Sequence, residues 1–68
     1  MEIRVNGKAE TVADKSTVGS VLEAKELDPA LVSVEHNGKI LEKSDLDGTL
    51  LSEGDELEIL FFMGGGGA

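Results

Sequence analysis

The residues with the clearest chemical potential lie at the end of the printed sequence, where residues 63–68 read Met-Gly-Gly-Gly-Gly-Ala. Glycine has no side chain, so a glycine run can pass through a channel too narrow for other residues. Five extended residues span about 16–18 Å. Such an arm can deliver its terminal carboxylate, which is ionised and unreactive near pH 7 until an enzyme activates it. The alternative interpretation is a frayed terminus without a role.

Two other features have suitable residue types in an unsuitable context. Residues 45–50, Asp-Leu-Asp-Gly-Thr-Leu, match the opening motif of haloacid-dehalogenase-type phosphatases, but no apolar strand precedes them and 18 residues follow. An EF-hand loop needs glycine at position 6, whereas Gly48 is at position 4 counted from Asp45. His36 is the sole histidine and stands beside a turn, which is typical of a solvated side chain. Without cysteine or a catalytic cluster, we predict that the chain is not an enzyme and binds no metal or cofactor.

The first element that must position the arm is a β-hairpin. Ile3 and Val5 alternate with polar residues over positions 1–6, which indicates a half-buried strand. Asn6-Gly7 predicts a two-residue type I′ turn, because both of its positions favour positive φ. A shorter strand over residues 9–13 completes the hairpin.

A helix follows the hairpin. Three apolar residues have the i, i+3, i+4 spacing of one helical face: Val18, Val21 and Leu22. Ser16 or Thr17 supplies the N-cap. Pro29 disfavours helical geometry at the residue before it, so we expect the helix to end by about Leu27.

The second half of the chain predicts another hairpin, a loop and a final strand. Residues 31–36 form a strand, Asn37-Gly38 repeats the turn signal, and residues 39–41 form the return strand. The loop at 44–52 carries three apolar residues that we expect to fill the core: Leu46, Leu50 and Leu51. The last strand covers residues 56–62 and is the most apolar segment, so we place it at the centre of the sheet.

These elements predict an α+β fold in which one helix lies across one face of a small mixed sheet. A last strand parallel to the first strand makes this arrangement a β-grasp (ubiquitin-like) fold. The predicted organisation is a β-grasp domain at residues 1–63 followed by a flexible glycine-rich C-terminal tail at residues 64–68.

The last strand also predicts a docking site at the root of the tail. With Leu57, Ile59 and Phe61 facing the helix, the opposite face begins with the acidic Glu56 and Glu58 and then becomes apolar. We expect four residues to dock a partner: Leu60, Phe62, Met63 and Gly64. Exposed apolar clusters often mark interaction sites. The alternative is that a neighbouring loop covers them.

The composition restricts the class of protein and its partners. Sixty-eight residues make one small domain. The sequence has neither a signal peptide nor a membrane span, so we expect a cytoplasmic protein without a membrane partner, monomeric when free. The net charge is −8, and residues 44–68 contain six acidic residues and no basic residue. This charge repels nucleic acid and favours a basic protein surface, or serves solubility alone.

The order and spacing of these motifs resemble the sulfur carriers of thiamine biosynthesis, the ThiS family. The resemblance covers nearly the whole chain, and each motif alone is weak. The matching features are the strand and turn at 1–7, the helix that Ser16-Thr17-Val18 opens and that closes near Leu27-Asp28-Pro29, residues 34–40, Glu53-Gly54-Asp55, and the run from Glu58 to Gly65. The small subunits of molybdopterin synthase (MoaD) look similar in fold and tail but are usually longer.

The resemblance implies a β-grasp protein that carries sulfur. An E1-like adenylating enzyme of the ThiF/MoeB type would use ATP to activate the C-terminal glycine. A sulfurtransferase, as sulfur donor, would convert the product to a thiocarboxylate, and thiazole synthase would accept the sulfur. The reacting carboxyl would belong to the terminal residue of a Gly-Gly pair, which points to Gly67, Gly66 or Gly65.

The end of the sequence departs from the family pattern, because Ala68 follows the glycines. A protease that removes Ala68 leaves Gly67 terminal, and removal of two residues leaves Gly66; otherwise the alanine is an added residue. Related carriers for cysteine or homocysteine synthesis are processed in this way, so these pathways and molybdopterin synthesis stay open. A ubiquitin-like protein-binding adaptor without sulfur chemistry is the alternative of a different class.

Overall fold

The computed structural model describes residues 1–62. Within them the chain forms a five-stranded sheet and a seven-residue α-helix. The elements are β1 (Glu2–Val5), β2 (Lys8–Thr11), α1 (Val18–Ala24), β3 (Val32–His36), β4 (Lys39–Ile40) and β5 (Glu56–Phe61), with short 3₁₀ helices at Pro29–Leu31 and Lys43–Asp45. The predicted domain boundary and the tail at residues 64–68 lie outside the described residues.

The strand order β2-β1-β5-β3-β4 places the last strand at the centre of the sheet, as predicted. β5 runs parallel to β1 and antiparallel to β3, and the two hairpins supply the outer strands. The apolar face of α1 joins the core on one side of the sheet. This topology confirms the predicted α+β, β-grasp fold. In residues 1–62, every helix is too short or too polar to cross a membrane.

Both hairpins close with the predicted Asn-Gly turns. Asn6 and Asn37 each have a φ of 51°, and Gly7 and Gly38 each have a φ of 85°. Glycine adopts positive φ without strain, and asparagine tolerates it better than most residues. The Asn-Gly pairs therefore fix the two-residue turns that set the register of each hairpin.

α1 begins with a reciprocal cap. Thr17 Oγ1 accepts a hydrogen bond from the Ser20 N–H (3.0 Å), and Ser20 Oγ accepts one from the Thr17 N–H (2.9 Å). These bonds form a capping box, with serine in the place more often taken by glutamate or glutamine. Of the two predicted caps, Thr17 is therefore the one that is used.

The helix ends at Ala24, three residues before the predicted end at Leu27. Glu26 adopts a left-handed φ of 58°. Its N–H bonds to the Glu23 C=O (2.9 Å), and the Leu27 N–H bonds to the Leu22 C=O (2.9 Å). These are the two hydrogen bonds of a Schellman cap. The helix is therefore ended by this cap, before the chain reaches the proline.

The core lies between α1 and the sheet. Its buried side chains are Ile3, Val5, Val18, Val21, Leu22, Val32, Val34, Leu46, Leu51, Leu57 and Ile59. The prediction that Leu50 also fills the core is wrong, because its side chain is 61% exposed. Leu50 forms an isolated antiparallel bridge with Thr17. Successive residues of an extended segment point in opposite directions, so burial of Leu51 turns Leu50 outward.

Candidate partner-docking site at the end of the last strand

The end of β5 carries a cluster of exposed apolar side chains. Leu60, Phe61 and Phe62 are 54%, 56% and 54% exposed, and we call them the apolar end of β5. In the described residues no loop covers Leu60 and Phe62, and their role in docking stays a prediction. Met63 and Gly64, predicted to complete the docking site, lie outside the described residues, as do Gly65, Gly66 and Gly67.

The prediction that Phe61 is covered by the helix is wrong. Leu57 and Ile59 are 1% and 4% exposed, whereas Phe61 alternates with them along the strand but is uncovered. A seven-residue helix is about 10 Å long, while six residues of strand span about 20 Å. Because the helix is shorter than the strand, it does not cover the last residues of β5. The apolar end of β5 therefore extends beyond the core.

A groove of about 410 Å³ adjoins this cluster at Phe62. Apolar side chains from β3, β4 and the following loop line it, among them Val34, Ile40 and Leu46. Lys43 also lines the groove, and its Nζ lies 5.7 Å from the centroid of the Phe62 ring, which is within cation–π range. The groove and the apolar end of β5 together form one surface at the point where the chain continues into residue 63.

The sequence pattern does not identify Lys43, because its contact with Phe62 depends on the tertiary pairing of β3 with β5. The sequence gives one weak indication of a role for Lys43, which is that it is the last basic residue of the chain. Its position gives the apolar surface one positive charge in a protein whose net charge is −8.

The rest of the exposed face of β5 is acidic. Glu56 and Glu58 are exposed and alternate with the buried Leu57 and Ile59, so they lie on the same face as Leu60. A surface that changes from carboxylates to apolar side chains favours a partner with an apolar contact flanked by basic groups.

β5 is held on both sides near this surface. On the side of β1, Asn6 Oδ1 accepts a hydrogen bond from the Ile59 N–H (2.7 Å), and Asn6 Nδ2 donates to the Ile59 C=O (3.2 Å). On the side of β3, the Phe62 N–H donates to the Leu31 C=O (3.0 Å). The sequence predicts Asn6 as a turn residue and gives no indication of this second contact.

Asp55, just before β5, is the centre of a hydrogen-bond network. Its carboxylate lies 2.8 Å from His36 Nε2 and accepts hydrogen bonds from Asn37 Nδ2 (3.2 Å) and the Ser52 N–H (2.9 Å). Burial raises the pKa of Asp55, but the bonds from His36, Ser52 and Asn37 outweigh it and hold the pKa below its ordinary value of 3.8. The interpretation of His36 as a solvated side chain is wrong, because it is 20% exposed and paired with Asp55.

The acidic motif at residues 45–50 forms a turn. Thr49 Oγ1 donates to the Asp45 C=O (2.8 Å), and the Gly48 N–H donates to the same oxygen (3.1 Å). Across residues 1–62, no three His, Asp or Glu side chains are grouped so as to hold a metal ion. The functional feature that the described residues favour is the docking surface, because apolar side chains are exposed at the end of β5 beside exposed carboxylates.

Comparison with known sequences connects this chain to one family. A family model described as the ThiS family matches residues 3–66. The chain is also 35% identical over 66 residues to a thiazole synthase of Paramagnetospirillum magneticum. That alignment covers 97% of this chain and 20% of the relative, so the chain spans a fifth of the length of the protein it matches.

Two solved structures are similar over most of the chain. One is the crystal structure of a thiamine biosynthesis protein (ThiS) from Geobacter metallireducens, with 39% identity, a TM-score of 0.83, and coverage of 93% of this chain and 96% of that one. The other is a solution NMR structure of a thiamine biosynthesis protein from the same organism, with 39% identity and a TM-score of 0.79. It matches 93% of this chain and 85% of its own.

Proposed function

The chain belongs to the ThiS family, and we propose that it is a sulfur carrier of thiamine biosynthesis whose C-terminal glycine becomes a thiocarboxylate. The observation that carries the proposal is the family match, which spans residues 3–66 and so includes the first three glycines of the run. The similarity to a thiamine biosynthesis protein over 93% of the chain supports the same pathway.

The chemistry starts from a carboxylate that is unreactive near neutral pH. In the proposed first step, an oxygen of the glycine carboxylate attacks the α-phosphate of ATP on an E1-like enzyme of the ThiF/MoeB type, and pyrophosphate leaves. Sulfide then attacks the acyl carbon, and AMP leaves. A sulfurtransferase system supplies sulfur at the oxidation level of sulfide. The product is a thiocarboxylate, which is a better nucleophile than the carboxylate.

We propose thiazole synthase as the acceptor of this sulfur. The identity of 35% between this chain and one fifth of a thiazole synthase supports an association between the two kinds of sequence. In this scheme the chain is a co-substrate of its partner enzymes and is not itself an enzyme. It provides a rigid domain, a docking surface and a slim arm.

The geometry of the described residues supports this division of roles. The exposed Leu60 and Phe62 stand immediately before the glycine run. Four extended residues span about 13–14 Å, so a partner that binds the apolar end of β5 has residues 64–67 within reach of a nearby active site. Glu56 and Glu58 steer a basic partner surface towards this contact.

The reacting residue is Gly67 if a processing protease removes Ala68. It is Gly66 if two residues are removed, and Gly65 if three are removed. A glycine terminus suits a narrow channel, because the methyl group of alanine adds width at the reacting end.

The test is reconstitution with chains that end at Ala68, Gly67, Gly66 and Gly65. Each is incubated with the ThiF-type enzyme of the source organism, ATP and sulfide, and the thiocarboxylate is measured by mass. We expect one of the chains that end in glycine to react fastest. The chain that is one residue shorter should form the thiocarboxylate about tenfold more slowly or worse, while its circular dichroism spectrum stays unchanged. Equal enzyme binding by all four chains without any thiocarboxylate would contradict the carrier and support an adaptor. A thiocarboxylate from which thiazole synthase takes no sulfur would contradict the thiamine assignment and favour the molybdopterin or cysteine/homocysteine pathways.

A further inference from the structure

β5 presents a regular backbone edge to the side of β1. The Arg4 N–H donates to the Asp55 C=O (2.9 Å), and the Asn6 N–H donates to the Leu57 C=O (2.8 Å). The next residue in this series is Ile59, whose N–H and C=O bond to the Asn6 side chain. Backbone groups of a strand point to the same side at every second residue, so the N–H and C=O of Phe61 follow on this edge.

The strand β1 does not reach Phe61. β1 ends at Val5, opposite Leu57, and the chain then turns back at Asn6. Among residues 1–62, none is paired with Phe61 on this side of β5. On the opposite side the strand is occupied, because Phe61 lies opposite Val32 of β3. The edge at Phe61 is therefore the position at which one more strand can join the centre of the sheet.

We propose that the adenylating enzyme adds an extended segment to this edge, with hydrogen bonds to the N–H and C=O of Phe61. This inference rests on the proposed function, since it names how the enzyme grips the chain just before the glycine run. Pairing at a strand edge is a common way to bind an extended segment. The glycines that follow carry no side chains to obstruct such a neighbour on either face.

The surroundings of the edge define the chemistry of the added segment. Leu60, Phe61 and Phe62 are each more than half exposed and flank the edge on both faces of the sheet. Glu56 and Glu58 precede them on the exposed face. The segment that fits is apolar opposite the phenylalanines and basic towards the glutamates. Backbone pairing would also hold the arm extended in one register, which directs the terminal carboxyl to a defined point.

The test replaces single backbone amides by esters in a chemically synthesised chain with its reactive glycine terminus. An ester at Phe61 removes its N–H without changing a side chain. We expect this ester to raise the KM of the ThiF-type enzyme for the chain about three- to tenfold in ATP–pyrophosphate exchange, which is the usual effect of one hydrogen bond. The matched control is an ester at Val12, which removes the hydrogen bond from the Val12 N–H to the Met1 C=O (2.8 Å) and lies outside the surface at the end of β5. It should lower the midpoint of urea unfolding and leave KM within about twofold.

A KM within twofold for the Phe61 ester would overturn the pairing and leave the carrier function intact, provided the unmodified chain supports exchange. An equal rise in KM for both esters would also overturn it, because the effect would then follow the stability of the domain. If the Phe61 ester abolishes a concentration-dependent dimer while KM is unchanged, the edge belongs to a second copy of the chain. An absence of exchange with the unmodified chain would contradict the proposed function and the pairing together.

Discussion

The Asn6 side chain takes the place of a strand beside Ile59. Its Oδ1 accepts from the Ile59 N–H at 2.7 Å, and its Nδ2 donates to the Ile59 C=O at 3.2 Å, across 53 positions of sequence. The same residue forms the first hairpin turn with a φ of 51°. One asparagine therefore closes a hairpin and extends the pairing of β1 with β5 towards the apolar end of β5.

Replacement of Asn6 separates these two roles. Asn6→Ala removes the bonds to a buried peptide group and places alanine at positive φ, so we expect the free energy of unfolding to fall by about 2–4 kcal/mol. Asn6→Gly keeps the turn and removes the side-chain bonds, so its loss should be smaller, about 1–3 kcal/mol. Urea unfolding measures both. Amide exchange at Ile59 should accelerate in both variants; unchanged protection at Ile59 would contradict the role of the side chain.

Asp55 makes the stability of the domain depend on pH. Its pKa is below 3.8 in the folded chain, so the carboxylate binds protons less readily when folded. Its contribution is therefore complete above the unfolded pKa of about 3.9 and is lost as pH falls through the lower, folded pKa. We expect Asp55→Asn to cost about 1.5–3 kcal/mol at pH 7 and clearly less at pH 2.5. Urea unfolding at several pH values gives the comparison.

The matched control for this prediction is Glu58→Gln, which changes an exposed carboxylate on β5, the strand that follows Asp55. It should shift stability by less than about 0.5 kcal/mol at pH 7. If the loss in Asp55→Asn is as large at pH 2.5 as at pH 7, the hydrogen bonds to the ionised carboxylate are not the source of the effect.

Gly19 allows the loop before β5 to approach the helix. A Cβ at this position would overlap Asp47 Oδ1 and lie 3.1 Å from Asp47 Cγ and 3.3 Å from Asp47 Cα. The Gly19 N–H bonds to the Leu46 C=O (2.8 Å), which holds the loop in place. Gly19→Ala should therefore destabilise the domain by about 1–3 kcal/mol, although alanine favours helix. In Gly48→Ala the nearest atom is 3.9 Å away, so this control should be near neutral in thermal unfolding.

Glu26 occupies a position that suits glycine. Its left-handed φ of 58° costs a non-glycine residue about 1–2 kcal/mol. Glu26→Gly should raise the free energy of unfolding by about 0.5 kcal/mol or more after the entropy cost of glycine. Glu23→Gly, inside the helix, should lower it by about 1 kcal/mol. Effects of the same sign in the two variants would contradict the assigned Schellman cap.

The elements that the sequence predicts well are those decided by local chemistry. Asn6-Gly7 and Asn37-Gly38 define their turns by backbone preference alone, and the spacing of Val18, Val21 and Leu22 defines one helical face. The central position of β5 follows from its apolar character. These features are enough to predict the α+β fold and the exposure of the Leu60 and Phe62 side chains.

The features that sequence reasoning missed depend on tertiary distance. Phe61 is uncovered because the helix is shorter than the strand, and Leu50 points outward because its neighbour Leu51 points inward. His36 meets Asp55 only after β3 has paired with β5. The contact between Asn6 and Ile59 likewise depends on the parallel pairing of β1 with β5, and no local pattern encodes it.

The central claim is that the glycine run ends in a carboxyl group that acquires sulfur. The most direct measurement is intact mass spectrometry of the protein purified from its own cells under conditions that preserve thiocarboxylates. We predict a chain that ends in glycine, accompanied by a species heavier by the difference between a sulfur and an oxygen atom. If every recovered chain carries an unmodified carboxylate, and none gains sulfur after addition of the adenylating enzyme, ATP and sulfide, the sulfur-carrier account is contradicted.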